Sequence, residues 1–275
     1  MTELTPHDVA VAPEATADIS VEHAARIAAV LDADLELGDG SALPLLWHFA
    51  FFAPAVPTAA LGHDGHPRMA PGGPTADLPR RMWAGGRIEA HEPLLVGRPA
   101  TRRSRVVQAE RKSGRSGDLL VVTIEHEVEQ GGRIVLTEEQ DLVYRAAGAT
   151  VEAPVGDHRP DVPDGGWCDP MTRDAVVLFR FSAITFNGHR IHYDLPYATA
   201  EEGYPGLVVH GPLTAVSLAE SARRRGVVGR RFEFRATAPL FAALPFTLLG
   251  RPEGDAAALE AVRNDGAVAM TARLS

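Results

Sequence analysis

Residues 181–194 read FSAITFNGHRIHYD, which brings Asn187, His189, His192 and Asp194 into eight consecutive positions. Imidazole titrates closest to neutral pH, so two histidines beside an amide and a carboxylate could move protons. The same residues have other readings. His189, His192 and Asp194 could ligate a metal ion, or the polar groups could satisfy the backbone of a turn. Nothing elsewhere supplies an obvious remaining metal shell, so neither a metal nor a cofactor is expected. The other suggestive cluster, HDGH at 63–66, lies in a long Pro/Gly-rich stretch and reads as solvated.

Three further groups could take part. LVVHGPLTAVSLAESARRRG (207–226) carries helix punctuation: Gly211 at the cap, Pro212 at the first helical position, and Arg223 to Arg225 in the last turn before Gly226. That helix is apolar nearly all round, which predicts burial. Its N-terminus would present free amides, with His210 immediately before it. Arg80, Arg81 and Trp83 cluster at the end of the long loop, as an exposed segment or as a basic wall for a phosphate or carboxylate. Arg230 and Arg231 add to a second basic concentration after the helix. Cys168, the single cysteine, rules out an intrachain disulfide and a Cys-rich metal site.

The elements that must position these groups follow from pattern. Residues 21–32 form an amphipathic helix capped by Ser20, whereas LPLLWHFAFF (43–52) is a dense apolar run without an assignment. Residues 53–79 read as a long loop. GDLLVVTIEHEVEQGGRIVLTEEQDLVYR gives two strands meeting at Gly131-Gly132, and TRRSRVVQAER could pair with them. The Pro/Gly/Asp-rich stretch 146–174 is the best boundary, dividing 1–150 from 151–275. In the second part VVLFRFSA (176–183) looks like a strand, and RRFEFRATA (230–238) begins a meander that would wrap around the buried helix.

Composition narrows the function. The chain has 275 residues and a net charge of −9, which argues against a nucleic-acid groove. The opening residues lack a basic-then-apolar leader pattern, and no apolar run reaches the length of a membrane span. A cytoplasmic protein is expected.

FSAITFNGHRIHYD followed by GLVVHGPLTA resembles the MaoC-like, R-specific enoyl-CoA hydratase family. In that family a motif Asp-x-Asn-Pro-x-His-x-Asp precedes a His-Gly at the start of a central helix. His192 falls on the motif histidine, Asp194 on the following aspartate, and His210-Gly211 on the His-Gly. Asn187, five residues before His192, stands where the motif has its first aspartate, and His189-Arg190 replaces Asn-Pro. Together with LPRRMWAGGRIEAHEPLLVG (78–97), this is similar to the double hot-dog type-2 hydroxyacyl-thioester dehydratases, including mesaconyl-CoA and itaconyl-CoA hydratases.

The resemblance implies an α+β double hot-dog fold with a non-catalytic first half and a hydratase motif in the second. The expected substrate is an acyl-CoA thioester, no membrane or nucleic acid is involved, and a homodimer is compatible with the fold. It implies His192 as acid/base, Asn187 as the group orienting water or substrate, and the Gly211 amide as oxyanion hole. Arg80, Arg81, Trp83, His189, Asp194 and His210 are the expected substrate-binding set. Competing readings are a thioesterase of the same fold and a non-catalytic acyl-thioester binding subunit.

Overall fold

The computed structural model describes residues 11–68, 75, 77–114, 117–146 and 150–275. The first half contains β1 (Glu14–Asp18), α1 (Val21–Leu31), β2 (Arg80–Ala90), β3 (Pro99–Gly114), β4 (Gly117–Gln130) and β5 (Arg133–Arg145). The second contains β6 (Trp167–Met171), α2 (Ala175–Ile184), α3 (Gly211–Arg223), β7 (Arg231–Ala236), β8 (Phe246–Glu253), β9 (Ala256–Arg263) and β10 (Val268–Leu274). All these strands join one antiparallel sheet in the order β1-β3-β4-β5-β2-β7-β10-β9-β8-β6. First-half strands therefore lie on one side and second-half strands on the other, joined where β2 pairs with β7 from Gly85↔Arg235 to Glu89↔Arg231.

Local chemistry explains the elements that matter for the site. Ser20 caps α1 by accepting a hydrogen bond from the His23 amide at 3.2 Å, as its sequence position predicts. β4 and β5 form the expected hairpin around Gly131-Gly132, with β3 along the other edge of β4. In β7, Phe232 and Phe234 are buried while their charged neighbours face outward. α3 buries nearly its whole surface against β8, β9, β10 and β2. No helix among the described residues is long and apolar enough to cross a membrane.

One sequence expectation needs correction. The run VVLFRFSA is the helix α2 and not a strand: Asp174 caps it by accepting from the Val177 amide at 2.9 Å. Leu178, Phe181 and Ser182 then fall on one buried face. A short run rich in β-branched and aromatic residues cannot be told from a strand by periodicity alone. The stretch 146–174, read as a domain boundary, holds the strand β6 near its end. Pro170 is tolerated there because β6 is an edge strand, where a missing amide donor costs no ladder bond. The unassigned apolar run holds a single 3-10 turn, Trp47–Ala50, buried beneath α1.

Trp167 of β6 ties that edge to the helix core, because its indole N–H donates to Ser221 Oγ of α3 at 2.7 Å. Gly250 on the neighbouring strand lies flat against the same indole, and a Cβ there would fall inside the ring. Gly250→Ala is therefore expected to destabilise the protein by about 1–3 kcal/mol through overpacking, read as a fall in Tm.

Candidate active site

α2 ends at Ile184, capped by Thr185, and the chain then turns sharply through Phe186, whose φ of 50° is left-handed. This turn delivers Asn187, Gly188, His189, Ile191 and His192 to the wall of a cavity of about 960 Å³. Within it, the Asn187 carbonyl oxygen accepts from the His189 amide at 3.0 Å. Because that backbone N–H can only donate, the oxygen end of Asn187 is fixed by the turn, and its amide NH₂ remains for the cavity.

His192 sits on a 3-10 turn and is only 7% exposed. Its Nδ1 donates to the Val208 carbonyl at 2.7 Å, which leaves the lone pair on Nε2. Val208 is itself anchored, since its amide donates to the Ile191 carbonyl at 3.0 Å. Behind His192 the His210 ring stacks at 3.6 Å between centroids, and His210 Nε2 bonds Ser182 Oγ at 2.8 Å. Burial pushes the His192 pKa down to about 4, against the stabilising carbonyl of Val208. Burial also lowers His210 and His189, so the cluster rests as neutral imidazoles.

Gly211 opens α3 directly after His210, with Pro212 behind it. The first amides of the helix have no intrahelical acceptor, and the positive end of the helix dipole lies there. A Cβ on Gly211 would stand 2.8 Å from Cε3 of Trp83, so only glycine fits beneath that indole. Trp83 is held in turn by stacking on Phe234 at 4.2 Å and by an edge contact with Phe49 at 5.6 Å. A proton acceptor, an amide donor and a helix N-terminus thus border one cavity.

Comparison with known proteins places this arrangement. Residues 46–242 match the family described as hydroxyacyl-thioester dehydratase type 2. The chain belongs to that family. It is a hydro-lyase of the acyl-thioester type. The chain is 51% identical over 239 residues to the mesaconyl-C(4)-CoA hydratase of Chloroflexus aurantiacus, covering 84% of this chain and 83% of that one. It is 27% identical over 230 residues to the mitochondrial hydroxyacyl-thioester dehydratase type 2 of Schizosaccharomyces pombe, covering 74% and 75%. Among solved structures, HtdX of Mycobacterium tuberculosis superposes with a TM-score of 0.69 at 18% identity, over 95% of this chain and 99% of that one. A second protein of that organism, described as having a double hotdog fold, gives 0.53 at 16% identity over 94% and 92%. The double hot-dog expectation holds.

The dehydratase-family chain distributes its expected site residues unevenly. His192, Asn187, Gly211, His189, Arg80, Arg81 and Trp83 all line the cavity. Asp194 and His210 are not among the lining residues and stand behind the cavity wall. Asp194 is paired with Arg190 at 2.7 Å and accepts from the Tyr197 amide at 3.1 Å, so it braces the turn from behind. This also separates Asp194 from the histidines with which it could have formed a metal shell. His210 is the packing ring under His192. Arg80, Arg81 and Trp83 begin β2 and are not an exposed loop. The Arg80 guanidinium is buried and paired with Glu202 at 3.0 Å.

The loop read as solvated is the larger surprise. Asp64 and His66 line the same cavity, and the His66 ring packs on His189 at 4.1 Å. Asp64 Oδ2 accepts from His66 Nδ1 at 3.0 Å, while the Asp64 carbonyl accepts from the Arg190 amide at 2.9 Å. Ligand atoms of Asp64, His66 and His189 lie within 4.8 Å of one another, a trio the sequence pattern does not suggest. No local signal foretells this contact, which bridges residues more than a hundred positions apart. Cys168 is half-buried and its thiol pKa is raised by burial, the reverse of an activated nucleophile.

A neutral His192 with a pKa near 4 has two measurable consequences. The kcat/KM profile is expected to stay flat down through pH 6.5, where an ordinary imidazole would already be losing activity. A histidine whose folded pKa lies below its unfolded value leaves the unfolded chain the stronger proton binder between the two. Stability should therefore fall as pH drops from about 6.5 toward 4, read as Tm by circular dichroism.

Proposed function

We propose that the protein reversibly hydrates an α,β-unsaturated acyl-CoA thioester whose acyl group is a C4–C5 dicarboxylic one of the mesaconyl or itaconyl type. The observation that carries the chemistry is the hydrogen bond from His192 Nδ1 to Val208, which directs the basic Nε2 to the cavity. The acyl group is suggested by the Chloroflexus relative, whose name gives a mesaconyl thioester as its substrate.

In the hydration direction His192 Nε2 takes a proton from water as the water oxygen bonds to the β-carbon. The π pair moves through the α-carbon onto the thioester oxygen, where the Gly211 amide and the helix dipole meet the developing charge. The imidazolium then returns its proton to the α-carbon, so atoms and charges balance. Asn187 donates through its NH₂ to the water or the substrate and carries no proton, because an amide cannot act as a base. His189, Arg81 and Trp83 complete the substrate wall. We place this chemistry in the cytoplasm, a reading supported by the lone half-buried cysteine.

The test is a panel of enoyl-CoA and 3-hydroxyacyl-CoA thioesters followed at the enone absorbance, with free thiol measured in parallel. Loss of the enone absorbance without thiol release is expected, and loss of that absorbance with stoichiometric thiol release would mean a thioesterase. His192→Ala should lower kcat by about 10²–10⁴-fold. Asn187→Ala should lower kcat by a smaller factor with an unchanged pH profile. Wild-type turnover in the Asn187 variant would remove that residue from the site.

A further inference from the structure

Buried polar atoms without a hydrogen-bond partner are few in native proteins, and each calls for a reason. Among the described residues, four such atoms belong to side chains lining the active-site cavity: Arg80 Nη1, Trp83 Nε1, Arg102 Nε and Arg145 Nε. All four are N–H donors, and all come from β2, β3 and β5 of the first half. The wall opposite the catalytic turn therefore offers donors with no acceptor to meet them.

Arg102 is the most informative of the four. Its guanidinium is largely buried, and its described polar contact is a long one, 3.4 Å to the Phe52 carbonyl, beside a Phe52 ring 5.7 Å away. The nearest carboxylate, Glu138, is buried and occupied by His48 Nε2 at 3.0 Å, so it offsets the Arg102 charge only through space. The remaining polar neighbours are similarly engaged. His126 bonds Ser104 Oγ at 2.8 Å and Gln140 Oε1 at 3.3 Å. A largely buried guanidinium with no ion pair among the described residues, on the wall of a cavity, is a place where an anion belongs.

We propose that Arg102 anchors an anion subsite in the first half of the chain, and that its ligand is the free carboxylate of the acyl group. This rests on the hydration reading above and adds a division of labour to it. The second half performs the chemistry, and the first half selects the acyl group by its charge. The phosphates of CoA offer the same chemistry, but a phosphate carries more charge and holds its water more firmly than one carboxylate. A single guanidinium packed against the Phe52 ring, its charge already partly offset by Glu138, suits the weaker anion.

The test compares 2-butenoyl-CoA with mesaconyl-CoA, thioesters that share the CoA and differ in the acyl carboxylate, in wild type, Arg102→Met and Arg102→Lys. The ratio of kcat/KM for the carboxylated over the uncarboxylated substrate is expected to fall about a hundredfold in Arg102→Met, the usual scale for losing one partner of a buried charge pair. Arg102→Lys should recover part of that ratio. A ratio unchanged in Arg102→Met, whether both substrates lose activity together or neither does, would overturn the proposal. The first pattern would assign Arg102 to the CoA phosphates or to folding, and thermal melting tells those apart. If wild type hydrates neither thioester, the hydration reading fails on its own. Calorimetric binding of the same two thioesters to wild type and Arg102→Met then still decides the subsite by the same ratio.

Discussion

The hydrogen bond between His192 Nδ1 and the Val208 carbonyl is the constraint on which the site depends. A carbonyl can only accept, so the bond fixes one tautomer and leaves Nε2 as a base. It is dependable because Val208 cannot move freely: its amide is tied to Ile191, and its backbone bridges to Phe241. Ile191 neighbours His192, so base and backstop belong to one hydrogen-bonded loop. The stacked His210 prevents the ring from tilting away. In this setting burial lowers the pKa and keeps the imidazole neutral, which a proton acceptor requires.

The sheet carries this local arrangement to the scale of the chain. Because β2 pairs with β7, the first half contributes the strand bearing Arg80, Arg81 and Trp83 to a cavity that His189 and His192 of the second half also line. Trp83 is the hinge of that relationship. It lies over Gly211 at the start of α3 and stacks on Phe234 of β7, so the helix-terminus end of the cavity is shaped by both halves. The loop around Asp64 and His66 adds a second crossing, pinned to the catalytic turn through Arg190. The first half supplies about half of the cavity wall, and it supplies the unpaired donors.

Much of this was legible in the sequence where chemistry is local. Ser20, Gly211-Pro212 and Gly131-Gly132 mark their elements because caps and turns depend on a few adjacent residues. Asn187 and His192 stand out through the family resemblance of their segment, and both line the cavity. What stayed hidden depends on tertiary contact. The run VVLFRFSA reads as a strand because its apolar residues fit either period, and only Asp174 hints at a helix start. β6 hides in a Pro-rich stretch because edge strands tolerate what central strands forbid. The packing of His66 on His189, and the burial of Arg102 beside Glu138, join residues far apart in the chain and leave no local trace. Asp194 matches a motif position, yet Arg190 beside it turns it into a brace.

The central claim is that His192 is a neutral base with its proton on Nδ1. Nitrogen-15 NMR of histidine-labelled protein, assigned by comparison with the His192→Ala variant and titrated over the range where the protein stays folded, measures it directly. The account predicts an Nδ1–H tautomer that remains neutral well below pH 6.5, with any protonation near 4. An Nε2–H tautomer, or a titration at an ordinary imidazole pKa, would contradict it.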